Sequence, residues 1–170
     1  LEALPAILNE FPGAKAVFAG GGELQERLEQ RAAELGVTAS VRFTGFIASD
    51  REIYRILNGC GLALATYPPD GDTYKRYCDP GKVKIYLACG LPVLITDVPA
   101  VAGEIAEKNA GRIVQYTPKS LAEKIIGIFS NPDKYELMRE QALALAAEYT
   151  WNSIWERTFR EMEKMFVLKS

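Results

Sequence analysis

At 170 residues, with 48% hydrophobic and 25% charged residues, the chain has the size and composition of one folded domain, two small ones at most, which excludes a disordered or fibrous polymer. A formal net charge of −2 offers no global cationic field for nucleic acid, no apolar run reaches the length of a membrane span, and no stretch reads as a secretory leader. The absence of histidine removes Ser-His-Asp and Cys-His nucleophiles, His-based metal sites and the commonest general base.

The opening residues, Leu1-Glu2-Ala3-Leu4-Pro5, carry no methionine and are already in helical rhythm through Leu4, Ile7 and Leu8. We therefore expect a fragment whose natural N-terminal part lies upstream. The first helix is expected to end near Phe11, stopped by Pro12-Gly13. Lys15 to Ala19 predicts a short strand running into Gly20-Gly21-Gly22, and Leu24, Leu28 and Leu35 mark an amphipathic helix up to Gly36. Strand, glycines and helix together open a nucleotide-binding unit, although a tight turn without a ligand uses glycine equally well. Val41 to Phe46 alternates like a strand. Ser49-Asp50 then caps a helix carrying Ile53, Tyr54, Ile56 and Leu57, which Gly59-Cys60-Gly61 breaks, and Leu62 to Thr66 predicts the next strand. Short apolar strands alternating with helices predict an α/β fold with a parallel sheet covered on both faces.

From Tyr67 to Tyr77 the pattern gives way to a polar loop whose three tyrosines, Asp70, Asp72, Lys75 and Arg76 are candidates for contact with a sugar, or an ordinary solvated surface. Asp79-Pro80-Gly81-Lys82 follows. Asp79 is read as a helix N-cap, Pro80 as the first helical residue and Gly90 as the residue that ends the helix, predicting a helix over Pro80 to Cys89. Its first turn combines unpaired backbone N–H groups, the positive end of the helix dipole, Gly81 and the Lys82 ammonium, which is an anion site best suited to phosphate. Lys84 is one residue too far round the helix to share the direction of Lys82. Pro92 and the buried run Val93 to Ile95 predict a strand ending at Thr96 and Asp97, so a ligand sits where helix start meets strand end.

The remainder predicts a helix over Ala102 to Lys108 and a strand over Gly111 to Tyr116. A helix over Pro118 to Phe129, a further helix to about Tyr149 and a last one capped by Thr150 complete the chain. Trp151, Ile154, Trp155, Phe159, Met162 and Phe166 recur at helical spacing on that last helix and are read as packing surface. Cys60, Cys78 and Cys89, an odd number without Cys-x-x-Cys spacing, predict reduced thiols rather than disulfides or nucleophiles.

Taken together these segments resemble the donor-binding, C-terminal half of retaining GT-B glycosyltransferases, in particular the large fourth family. Leu1 to Phe11 looks like that family's "LIEALPLLLKEFP", Ala16 to Gly22 like "LVIVGDGP", and Val41 to Ile47 like "VRFLGFV". Lys82 to Val93 is similar to "KLFEYMACGLPV", Thr96 to Glu104 to "TDVGGVPE", Gly111 to Val114 to "GLLV", and Tyr149 to Trp151 to "FTW". The resemblance covers essentially the whole chain. It implies a single Rossmann-like three-layer α/β/α domain over residues 1–170, with closing helices over about 133–167.

The resemblance further implies that Gly20, Gly21 and Gly22 lie near the donor's phosphates and sugar, and that Phe46 and Ile47 flank the nucleobase. Asp79, Pro80, Gly81 and Lys82 meet the diphosphate and sugar, and position 85, here Ile85, lies by the ribose. The donor is a UDP- or GDP-sugar, with no separate cofactor and no obligatory metal, because cations and helix dipoles stabilise the leaving diphosphate. The acceptor, a glycan or lipid-linked molecule, binds a missing N-terminal domain, so the fragment alone is inactive and no catalytic residue is assigned within it. The setting is cytoplasmic, at the cytoplasmic face of a membrane if the missing half brings it there; no nucleic-acid partner is expected. The sequence also departs from the family. The usual pair of glutamates falls at Tyr77 and Ile85, neither of them acidic. Asp79 is the residue available to replace part of the first, beside its reading as a cap. An epimerase of the same architecture and a non-catalytic scaffold are the alternatives.

Overall fold

In the computed structural model, which describes residues 1–69 and 74–167, the described residues form nine α-helices and five strands. In chain order these are α1 (Leu4–Glu10), β1 (Ala16–Phe18), α2 (Gln25–Glu34), β2 (Val41–Phe43), α3 (Asp50–Asn58), β3 (Ala63–Ala65) and α4 (Tyr74–Tyr77). Then come α5 (Gly81–Ala88), β4 (Val93–Thr96), α6 (Val101–Glu107), β5 (Gly111–Val114), α7 (Pro118–Phe129), α8 (Pro132–Glu148) and α9 (Trp151–Val167). A short 3-10 turn over Thr38–Ser40, which the hydrophobic pattern does not announce, leads into β2.

Every pairing between named strands is parallel. β1 pairs with β2, with Ala16 opposite Val41 and Phe18 opposite Phe43. A second group has the order β3-β4-β5, with Ala63 opposite Val93 and Val93 opposite Gly111. All four residues of β4 are buried, and the two-residue period of a strand explains why. Val93 and Ile95 point into a cluster with Val83 and Leu87 of α5, Ala102 and Ile105 of α6, and Ala142 and Leu145 of α8. Leu94 points the other way, into a cluster with Ile7 of α1 and Ala122, Ile125 and Ile128 of α7. Helices therefore cover both faces, giving the three-layer α/β/α arrangement expected from the sequence.

α1 reaches both strand groups. Ala3 and Ile7 join the cluster around Leu94, whereas Leu4 packs with Ala32, Val37, Ala16 and Val41 beside β1 and β2. Gly111 is dictated by the closeness of β4 and β5. A Cβ there would stand 2.0 Å from the Val93 carbonyl oxygen.

β1 and β2 are shorter than the apolar runs that predict them. Gly20 and Gly45, at φ of +127° and +65°, turn the chain out of extended geometry, so the parallel ladder ends at Phe18 and Phe43 and only an isolated bridge joins the two glycines. The predicted loop from Tyr67 to Tyr77 closes with the single turn of α4; Asp70 and Asp72 lie outside the described residues. Thr117, Asn131 and Thr150 accept hydrogen bonds from the N–H groups of Ser120, Lys134 and Ser153, capping the last three helices, the first two with proline in the opening turn.

Candidate functional site

The segment Cys78 to Gly90 forms its helix as the sequence requires, but one residue later than expected. Pro80 is the N-cap rather than the first helical residue, with φ −74° and ψ 101°, and its carbonyl accepts the Val83 N–H at 2.9 Å. Asp79 therefore stands one residue outside the cap, and no side chain among the described residues caps this helix. The expectation that Asp79 is the N-cap is thereby corrected: its carboxylate forms an ion pair with Lys84 instead. The far end follows the sequence closely. Gly90, at φ +67°, donates to the Leu87 carbonyl at 2.9 Å while Leu91 N–H reaches the Tyr86 carbonyl at 3.0 Å, the paired bonds of a Schellman ending.

With no side chain closing it, the start of α5 presents its first backbone N–H groups at Gly81 and Lys82, at the positive end of the helix dipole. Among the described residues no atom stands within 4 Å of where a Gly81 Cβ would be, so a ligand can approach the backbone there. Lys82 Nζ stands 4.7 Å from the centroid of the Tyr67 ring. Lys82 is an exposed residue, and partial burial of its ammonium draws its pKa below the ordinary lysine value, which Cys78 nearby partly opposes. The site thus sets a cation beside helix-start amides that no side chain among the described residues caps, at the C-terminal ends of β3 and β4.

Lys84 belongs to a different network, as its position on the helix predicts. It pairs with Asp79 and lies 5.1 Å from the Tyr149 ring centroid, and the Tyr149 hydroxyl donates to Glu104 Oε2 at 2.5 Å. Burial, and next that hydrogen bond, hold the Tyr149 phenol well above the usual tyrosine range. Ile85 packs with Leu57, Ala63, Leu91 and Ile53 in an apolar seam against α3. Tyr77, at the other position expected to carry a glutamate, is 85% exposed at the end of α4.

The glycine loop forms a second group, at the C-terminal ends of β1 and β2. Gly20 bridges to Gly45, its N–H donates to Thr44 Oγ1 at 3.2 Å, and a Cβ on Gly21 would lie 3.2 Å from the Phe46 nitrogen. Gly20, Gly21, Gly22 and Phe46 are all exposed, Phe46 at 85%, and Ile47 is half-buried. A phenylalanine left that open at a strand end is apolar surface available to a planar ligand. The glycine and lysine groups stand on different strand pairs of the fold, both at the strand ends where parallel α/β folds bind ligands. Open cavities of ≈560 Å³, by α1 and α2, and ≈730 Å³, between β1, β2 and α3, include none of these residues.

Tyr67 and Thr96 are the residues that sequence reasoning left without a role in support of Lys82. They lie 29 positions apart and meet only through the pairing of β3 with β4. The one available signal is Thr96 itself, a hydroxyl at the end of an otherwise apolar buried strand, whose oxygen needs a partner.

Comparison with known proteins agrees with this architecture. A family model described as glycosyl transferases group 1 matches residues 1–131. GDP-mannose-dependent alpha-(1-6)-phosphatidylinositol dimannoside mannosyltransferase from Mycobacterium tuberculosis is 30% identical over 152 residues, 89% of this chain and 36% of that protein. The chain thus spans about a third of the length of that relative. The pneumococcal O-GlcNAc transferase GtfA, solved with UDP and GlcNAc, superposes with a TM-score of 0.72 at 16% identity, over 97% of this chain and 32% of GtfA. The C-terminal domain of the group 1 glycosyl transferase LpcC from Francisella tularensis superposes at 0.68 and 20% identity, over 87% of this chain and 75% of that domain. These likenesses establish the Rossmann-like fold of the C-terminal half of GT-B glycosyltransferases, and with the match over residues 1–131 the chain belongs to the group 1 glycosyltransferase family.

Proposed function

We propose that this chain is the donor-binding part of a glycosyltransferase that moves a sugar from a nucleoside diphosphate to a glycan or lipid-linked acceptor, with retention at the anomeric carbon. The single observation that carries the reading is the start of α5, uncapped among the described residues, where the first amides, Gly81 and the Lys82 ammonium converge. Such an arrangement stabilises the charge that develops on a departing diphosphate, and it is present before the ligand arrives. Gly20, Gly21 and Gly22 approach the donor's phosphates and sugar, Phe46 and Ile47 flank the base, and Asp79 lies at the edge of the diphosphate site. UDP or GDP is the expected nucleotide, supported by the UDP bound in GtfA and the GDP-mannose in the mycobacterial relative's name. That name also includes phosphatidylinositol, which supports a lipid-linked acceptor.

The reading assigns acceptor binding and the remaining reacting groups to a second, N-terminal domain, and any attachment to a membrane goes with it. No helix among the described residues is long and apolar enough to cross a membrane. The free state of Cys60, Cys78 and Cys89 supports a cytoplasmic setting. No cofactor beyond the nucleotide sugar enters this reading. A non-catalytic scaffold is the second reading, favoured by the apolar burial of Ile85. An NMR titration of the chain with UDP and GDP separates the two. Saturable shifts at Gly20 to Gly22, Phe46, Gly81 and Lys82 are the expected result, and a folded sample with no shift at any of them contradicts the donor-binding reading.

A further inference from the structure

We propose that Tyr67 is a positioning residue for Lys82, its ring serving as a plate that holds the ammonium beside the start of α5, and that Thr96 fixes the plate. This inference rests on the reading of the α5 start as a diphosphate site.

β3 ends at Ala65, so Tyr67 lies beyond its regular ladder. One side chain nevertheless fixes both of its backbone polar groups. Tyr67 N–H donates to Thr96 Oγ1 at 2.8 Å, and the Thr96 hydroxyl donates to the Tyr67 carbonyl oxygen at 2.8 Å. Thr96 is 3% exposed at the end of β4, where backbone pairing with β5 holds it. The Tyr67 side chain packs against the core cluster that contains Val83 and Ala102, which holds the ring in place. Lys82 Nζ at 4.7 Å from its centroid is within the range in which a ring face attracts a cation.

The chemistry of this contact differs from that of an ion pair. A lysine free in solvent spreads over many rotamers and loses that freedom when a ligand orders it. Resting on a ring, the ammonium is ordered beforehand and keeps its full charge for an anion on its other side. Lys84 shows the contrast, because the Asp79 carboxylate already neutralises it.

The test measures UDP and uridine binding by calorimetry in wild type, Tyr67→Leu, Tyr67→Phe, Lys82→Met and Tyr67→Leu/Lys82→Met, with GDP and guanosine in their place if GDP binds more tightly. Tyr67→Leu is expected to weaken UDP about fivefold and leave uridine unchanged, Tyr67→Phe to bind like wild type, and the double variant to bind like Lys82→Met alone. A Tyr67→Leu loss of the same size with and without Lys82, or wild-type affinity in Tyr67→Leu while Lys82→Met is weakened, overturns the assignment. Equal binding of UDP and uridine by the wild type overturns the diphosphate reading itself. Because Tyr67 also packs on the core, the unmutated protein supplies a second measurement. The Lys82 ε-methylene protons are expected upfield of ordinary lysine through the ring current, and ordinary shifts there overturn the proposal.

Discussion

The two strand groups of this fold are built to different standards. In β3-β4-β5, the central strand is buried along its whole length between two helical layers, and its neighbours are close enough that Gly111 admits no Cβ. In β1-β2, the three residues of β1 are only half-buried, and the exposed glycines at its end turn into the loop facing Gly45 and Phe46. The lysine and helix start that we assign to the diphosphate stand on the tightly packed group, and the open glycine loop stands on the looser one. Charge stabilisation requires donors that do not move when the ligand arrives, whereas a loop closing on a base and sugar tolerates adjustment.

The sharpest way to break this comparison is to cut into each group. Leu94→Ala in β4 is expected to cost about 2–5 kcal/mol of folding stability, and Val17→Ala in β1 about 1 kcal/mol or less, measured by urea unfolding. Equal costs would show that the two groups are packed alike. Gly111→Ala should follow at about 1–3 kcal/mol, because the added methyl meets the Val93 carbonyl, whose strand has nowhere to retreat.

The next effect is on binding. Lys82 in the empty site has a pKa lowered by burial, and a bound diphosphate favours its charged form. Diphosphate affinity is therefore flat below that lowered pKa and falls as pH rises through it, on the acid side of an ordinary lysine near about 10.4. Calorimetry across neutral to alkaline pH checks this, and Lys82→Arg, whose charge persists, should flatten the profile. The smallest effect belongs to Lys84. Its pair with Asp79 is solvent-accessible at both ends, so Lys84→Met should change stability by under about 1 kcal/mol and weaken diphosphate binding less than Lys82→Met does.

Local chemistry was legible in the sequence wherever a single segment decides the structure. Gly90 ends α5, and Thr150 caps α9, as their residue types require. The separation of Lys82 from Lys84 followed from helical geometry alone. The sequence places the start of α5 one residue early because X-Pro suits both a cap with proline at the first helical position, as at Thr117-Pro118 and Asn131-Pro132, and a lead-in with proline itself at the cap, and local propensity does not choose between them. The partnership of Tyr67 with Thr96 and Lys82 was not legible, since it depends on the register of β3 against β4. The same holds for Tyr149, read as part of a motif at a helix boundary, which reaches Glu104 across 45 positions. Ile85 marks where local reading and family pattern part. Its apolar side chain fits the seam against α3 and offers a ribose no hydrogen bond.

The claim at the centre of this account is that Lys82 and the start of α5 hold a diphosphate. Its most direct test is the affinity of wild type and Lys82→Met for UDP and GDP beside the bare nucleosides, with thermal melting as the control for folding. The account predicts a loss of about tenfold or more for the diphosphates, unchanged nucleoside binding and an unchanged melting temperature. Equal diphosphate affinity in the two proteins would contradict it.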